Sequence, residues 1–151
     1  MAFGGVSVPP EGEMSAAVTF NIPDAAVAKV DAYPDGGVIF IRGDSGSNAY
    51  LVRRGLVEIR EAGRALETVR PGELFGEMAL IDEGPRSASA VAVGPTEVAI
   101  IDRDAFHRLV RSDPDFALGV MHEMARRLRA MNAQQRPSEE LPIVQRPRRS
   151  A

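Results

Sequence analysis

Two residues of opposite charge, Glu77 and Arg86, stand out for the chemistry their setting allows. They lie in the stretch Arg70-Pro-Gly-Glu-Leu-Phe-Gly-Glu-Met-Ala-Leu-Ile-Asp-Glu-Gly-Pro-Arg-Ser-Ala-Ser-Ala-Val91 and flank a short apolar turn, Met78, Ala79 and Leu80. Small residues there let backbone N–H groups approach a ligand. An arginine fork aimed at a pocket, with such N–H groups nearby, suits one phosphate. A carboxylate is repelled by phosphate but accepts a hydrogen bond from a sugar hydroxyl. Together the two describe a site for a ribose phosphate. The same pair would also serve as a structural salt bridge across a loop, and either reading requires the two to lie near each other.

Other chemistry is poorly supplied. The chain has no Cys, which removes disulfides, thiolate metal cages and a cysteine nucleophile, and it has two His. Both His fall on predicted helices and read as packing or surface residues. Gly43-Asp44-Ser45-Gly46 carries the serine of a trypsin-like motif, but Ser47 follows it and no His precedes it, so it reads as a turn between strands. With no constellation of nucleophile, base and metal ligands, we expect no catalytic residues, no metal site and no cofactor; the protein is not expected to be an enzyme.

The elements that must position Glu77 and Arg86 follow from patterning. With 151 residues, 44% of them hydrophobic, the chain can bury one core. Residues 1–22 read as a disordered leader in which Met14 is an alternative start. Val27 and Val30 at helical spacing predict a short helix over Pro23–Val30. Short strands follow at Val38–Ile41, Ala49–Val52, Leu56–Arg60, Leu66–Val69, Ser89–Val93 and Glu97–Ile101, separated by glycine turns. This spacing predicts a mainly β fold, a small sandwich or barrel. Asp102 caps a helix through Arg111. Asp113-Pro114 starts a second, over 114–135, with Phe116, Val120, Met124, Leu128 and Met131 forming an apolar stripe. Residues 136–151, rich in Pro and Arg, read as a flexible tail.

The run Phe75-Gly76-Glu77-Met78-Ala79-Leu80, followed nine residues after the Glu by Pro85-Arg86-Ser87-Ala88, resembles the phosphate-binding cassette of the cyclic nucleotide-binding domain family. The wider resemblance runs from about Pro34 to Asn132. It implies a jelly-roll-like double-stranded β-helix, an eight-stranded β-roll with N-terminal and C-terminal helices, over residues 23–135. It further implies that Glu77 binds the ribose 2′-hydroxyl and that Arg86 pairs with the exocyclic oxygens of the cyclic phosphate. Backbone N–H groups of Met78, Ala79, Ser87 and Ala88 complete the cradle, and Gly76 permits close approach. Ile59, Leu66 and Val69 fall where the family rests the base, and Leu128, Met131 and Asn132 fall where its closing helix supplies a lid. Family members that prefer cGMP often carry Thr after the arginine; Ser87 stands there, so the resemblance favours cAMP, with cGMP as the other ligand. It also implies that Leu80 communicates with the helix that follows the roll.

Charge and length set the expected partners. The net charge of −3 argues against a surface built throughout for nucleic acid, although the stretch from Arg126 onward carries +5. No window approaches the roughly 18 apolar residues of a membrane span, and residues 1–28 hold no Lys or Arg to begin a signal peptide. We therefore expect a cytoplasmic, stand-alone sensor that binds a cyclic nucleotide, moves its C-terminal helix, and acts on a protein effector of unknown identity. A homodimer through the Met124, Leu128 and Met131 face is a further expectation. The alternatives are a fragment of a DNA-binding transcriptional regulator, since too few residues follow Gln135 for a helix-turn-helix, and a β-roll interaction module that no longer binds nucleotide.

Overall fold

The computed structural model describes Val6–Ser7 and residues 17–135. The expected tail over 136–151 and most of the expected leader lie outside the described residues. In chain order the strands are β1 (Val6–Ser7), β2 (Thr19–Phe20), β3 (Lys29–Tyr33), β4 (Val38–Phe40), β5 (Asn48–Glu61), β6 (Arg64–Val69), β7 (Leu74–Phe75) and β8 (Ser89–Asp102). Helix α1 (Met78–Ile81) interrupts them, and α2 (Arg103–Ser112) and α3 (Pro114–Gln135) follow. β1 pairs with β2, while the main sheet runs β3-β8-β5-β6, with β4 on β8 and β7 on β5; every pairing is antiparallel.

The segments read as four short strands on either side of Gly55 and Gly94 are two long ones. β5 and β8 pair from Asn48↔Asp102 to Arg60↔Ser89, and their register shifts beside Gly55. Gly55 has φ +83°, and a Cβ there would lie 2.3 Å from the Pro95 carbonyl oxygen, so the paired strands approach at a point only glycine fits. Thr96, buried beside it, has its hydroxyl within hydrogen-bond distance of the carbonyls of Leu56 and Gly94, to either of which its one proton can be donated.

Period-two alternation divides the interior. Ala49, Leu51, Ala99 and Ile101 face a core with Leu80, Phe106, Leu109, Phe116 and Val120, whereas Tyr50, Val52, Val98 and Ile100 face a second core inside the roll with Val57, Val69 and Phe75. Ala49-Tyr50-Leu51-Val52 is therefore continuously apolar because both of its faces are buried.

The helices start where the sequence places them. Asp102 accepts from the Ala105 N–H at 2.9 Å, and Asp113 accepts from the N–H groups of Asp115 and Phe116. Two expectations need correction. Asp24–Ala26 is only a turn of 3₁₀ helix, and the chain from Lys29 joins the sheet against Ile100 instead of continuing as a helix. Two valines in so short a segment cannot offset helix nucleation against strand pairing. Residues 17–22 are also not leader: Val18, Phe20 and Ile22 are buried in the helix-side core, with Phe20 edge-on to Phe116 at 5.5 Å. Val6 reaches this core too, and a Cβ at Gly119 of α3 would come within 2.6 Å of it.

Candidate functional site

The cassette begins where β7 ends. Leu74 and Phe75 pair with Leu51 and Tyr50, and the chain then turns at Gly76 with φ +78°. A Cβ at Gly76 would lie 2.9 Å from Arg86 Nη1 and 3.1 Å from the Tyr50 ring, so glycine is needed for both angle and space. Glu77 precedes the single turn of α1, whose Ala79 and Leu80 are buried while Met78 and Ile81 are exposed. The Leu80 N–H donates to the Glu77 carbonyl, leaving those of Met78 and Ala79 as the first-turn donors.

Arg86 is 5% exposed. Its backbone is strapped to the turn at 43–44: Arg86 N–H donates to the Asp44 carbonyl, and Gly43 N–H to that of Arg86. Its Nη1 donates to the Gly76 carbonyl at 2.6 Å and its Nη2 to that of Asn48 at 2.9 Å, while Nε is buried with no hydrogen-bond partner. The guanidinium lies over the Phe40 ring at 4.1 Å from its centroid. Burial pushes the guanidinium below its ordinary pKa; Tyr50, Glu77 and Asp44 act against that shift. Neutral carbonyls thus hold the cation, and an anion would be a stronger partner than either.

Glu77 is fully buried, and its ion-pair partner is Arg127 of α3, not Arg86. Arg127 Nη1 donates to Glu77 Oε2 at 2.7 Å, and Nη2 donates to the Leu74 carbonyl at 2.9 Å. Glu77 Oε1 is buried without a partner. Burial raises the Glu77 carboxyl above its ordinary range, with Arg127 opposing the shift. The salt bridge between Glu77 and Arg86 weighed from the sequence is replaced by two separately seated charges, each with one free buried polar atom.

The structure brings Gly76, Glu77, Met78, Ala79 and Arg86 together through these contacts. Ser87 is exposed and Ala88 is buried. Of the expected base-pocket residues, Val69 is buried inside the roll opposite Val57, and Ile59 packs against the same core. Leu66 has no partner across the strands, because the register skips it between Ile59↔Glu67 and Arg60↔Ala65. On α3, Leu128 and Met131 are 57% and 54% exposed, and Asn132 is exposed as well. The helix turns Arg126 and Arg127 toward the roll instead.

Several contributors escaped the sequence reading. Phe40, Tyr50, Gly46 and Asn48 form the seat of Arg86; a Cβ on Gly46 would lie 2.6 Å from its Cζ. Glu67, Glu123, Arg126 and Arg127 form an ionic cluster behind Glu77. The available signal was the spacing of Glu123, Arg126 and Arg127, three and four apart on a helix whose stripe includes Val120 and Met124.

A β-roll closed by helices, with a buried carboxylate and a buried guanidinium on the two limbs of one cassette turn, sets the class of domain. The family model for the cyclic nucleotide-binding domain matches residues 30–113, and the chain belongs to that family. It is 46% identical over 102 residues to the cyclic AMP receptor protein of Thermus thermophilus, covering 64% of this chain and 47% of that one. It is 35% identical over 88 residues to the cAMP-dependent protein kinase regulatory subunit of Pyricularia oryzae, covering 57% of this chain and 23% of the relative. The crystal structure of the Thermus thermophilus catabolite activator protein matches with a TM-score of 0.64 at 43% identity, covering 70% of this chain and 52% of that one. The chain thus spans about half, or less, of the length of these curated relatives. Among the described residues no helix is long and apolar enough to cross a membrane.

Proposed function

We propose that this domain is a non-catalytic sensor of cAMP, in preference to cGMP, that transmits binding through α3. The observation that carries this reading is the pair of buried, unpartnered atoms, Glu77 Oε1 and Arg86 Nε, on the two limbs of one cassette. A buried polar atom without a partner is costly, and a ligand that satisfies both recovers that cost. The ribose 2′-hydroxyl donates to Glu77 Oε1. The exocyclic phosphate oxygens draw Arg86 from the carbonyls of Gly76 and Asn48, with the N–H groups of Met78, Ala79, Ser87 and Ala88 completing the cradle. Ser87, in place of Thr, and the relatives named for cAMP support adenine over guanine.

Transmission follows from Leu80. It lies one helical turn from Glu77 and shares a core with Phe106, Leu109 and Phe116 of the two closing helices. A cassette drawn toward the phosphate moves Leu80 against them, and the nucleotide shifts the helices by its differential affinity for the two arrangements. The output is a protein effector in the cytoplasm. A second copy of the chain is the partner best supported for α3, because Leu118, Met121, Leu128 and Met131 are each more than half exposed.

Calorimetric titration with cAMP and cGMP tests the reading. Wild type is expected to bind cAMP at micromolar or tighter Kd, and Arg86→Ala to weaken it about a hundredfold, the worth of a buried charge-assisted contact. Arg86→Lys does not restore the two-pronged geometry. No binding of either nucleotide would favour a β-roll that acts only through protein contacts. The DNA-binding reading predicts a salt-dependent shift of DNA that deletion of residues 137–151 abolishes.

A further inference from the structure

Where α3 crosses the cassette, three carboxylates meet two guanidinium groups: Glu67 of β6, Glu77, and Glu123, Arg126 and Arg127 of α3. Arg127 commits both terminal nitrogens to the cassette, at Glu77 and at the Leu74 carbonyl. Its Nε stands 3.3 Å from both Glu67 Oε1 and Glu123 Oε2 without hydrogen-bond alignment, so charge holds that edge. Arg126 ties the same two carboxylates together, at 3.1 Å from Glu67 Oε2 and in a close pair with Glu123 Oε2. Glu123 is itself fixed, 2% exposed, with Oε1 accepting from the Val18 N–H at 3.1 Å. Arg127 therefore cannot swing off Glu77 without leaving Glu67 and Glu123 to share Arg126 alone.

We propose that Glu67 and Glu123 are positioning residues for ribose recognition: they clamp Arg127, and Arg127 orients Glu77 so that Oε1 remains the free acceptor. This rests on reading Glu77 as the carboxylate that binds the ribose. Burial alone favours the protonated, undirected form of Glu77; a guanidinium held 2.7 Å from Oε2 opposes that. Neither clamping carboxylate touches the nucleotide in this scheme, so their influence falls on one contact, the 2′-hydroxyl, and leaves phosphate and base alone.

That selectivity sets the experiment. The full chain, as wild type and as Glu123→Gln, is titrated with cAMP and with 2′-deoxy-cAMP. Glutamine retains an oxygen for the Val18 N–H and removes the charge facing Arg127. Wild type is expected to prefer cAMP about tenfold or more, the value of a hydrogen bond to a charged group. Glu123→Gln loses most of that preference, weakening cAMP about tenfold while 2′-deoxy-cAMP stays within about twofold. Glu67→Gln, on a strand, gives the same pattern and decides the matter if the helix variant fails to fold. Equal weakening of both nucleotides, or an unchanged preference, overturns the clamp. A wild type that binds cAMP with no preference for the 2′-hydroxyl overturns the ribose reading of Glu77 itself, and the clamp with it.

Discussion

Arg127 and Glu77 are fifty residues apart in sequence and 2.7 Å apart in space, and their contact joins the last helix to the cassette. The pair does two things at once. It neutralises a carboxylate that no solvent reaches, and it makes the position of α3 depend on the same side chain that the ribose is proposed to engage. The proposed ribose contact and the closing helix therefore share one side chain.

Removing the arginine should be costly. Arg127→Ala leaves Glu77 buried without its cation, and breaking such a pair costs about 3 kcal/mol or more. Urea titration should show this as a lower midpoint with an unchanged slope. A loss below about 1 kcal/mol would mean that the contact is worth no more than a surface ion pair.

Glycine 46 should control affinity. Gly46→Ala places a methyl 2.6 Å from Arg86 Cζ and Nε and 2.9 Å from Ala79 Cβ, which pushes the guanidinium off its seat on Phe40. Nucleotide affinity should fall about tenfold or more, as overpacking of about 1–3 kcal/mol implies. Gly43→Ala is the contrast: its φ of +94° makes alanine strained, yet a Cβ there meets nothing within 4 Å. It should lower the thermal midpoint and leave affinity within about twofold, both read by titration and calorimetry on the same samples.

The acid limb of stability should depend on Glu123. Burial raises its carboxyl, but Arg126, the Val18 N–H and Arg127 outweigh burial and hold it below the usual carboxylate range. A depressed folded value contributes stability above the unfolded pKa, and that stability disappears as pH falls through the folded value. Glu73 and Glu77 are raised by burial, so their contributions run the other way, present in acid and lost as pH rises through the raised values. The difference between wild type and Glu123→Gln should therefore shrink as pH falls through and below the ordinary glutamate range of about 4.3. A difference that stays flat across that window would show that the charge of Glu123 contributes nothing.

The exposed helix face should pair with a second copy. Leu118, Met121, Ala125 and Leu128 are exposed at spacings of three, four and three, the seam of a two-stranded coil. Met121→Glu combined with Leu128→Glu should convert a dimer into a monomer by sedimentation while leaving the thermal midpoint of the roll within a few degrees. A wild type that sediments as a monomer at micromolar concentration would refute the pairing.

The cassette was legible in the sequence because its chemistry is contiguous: Gly76, Glu77 and Arg86 sit within eleven residues, and each residue type has a reason to be there. Both helix caps and the stretches that form β4, β5, β6 and β8 were legible for a similar reason, since period and capping are local, whereas β2, β3 and β7 were not. The ionic cluster was not, because Glu67, Glu77 and Arg127 come from three elements that only the closed roll brings together. The seat of Arg86 was hidden likewise; Phe40 read as an ordinary strand residue and Asn48 as the end of a turn, and only the fold brings both to the guanidinium. Val18, Phe20 and Ile22 alternate as a strand should, but their alternation follows a Gly-rich and Pro-rich stretch that masked it. Finally, Leu128 and Met131 continue the spacing of Phe116 and Val120, yet they stay more than half exposed, so nothing among the described residues buries the second half of the stripe.

Ala49-Tyr50-Leu51-Val52 gives the domain a short mechanical path. Tyr50 stacks on Phe75 at 5.0 Å beside Arg86, while Leu51, its neighbour through one peptide bond, lies in the core that seats α2 and α3. The ring beside Arg86 and the leucine beneath the closing helices thus belong to adjacent residues of one strand, and a shift of the strand backbone carries both.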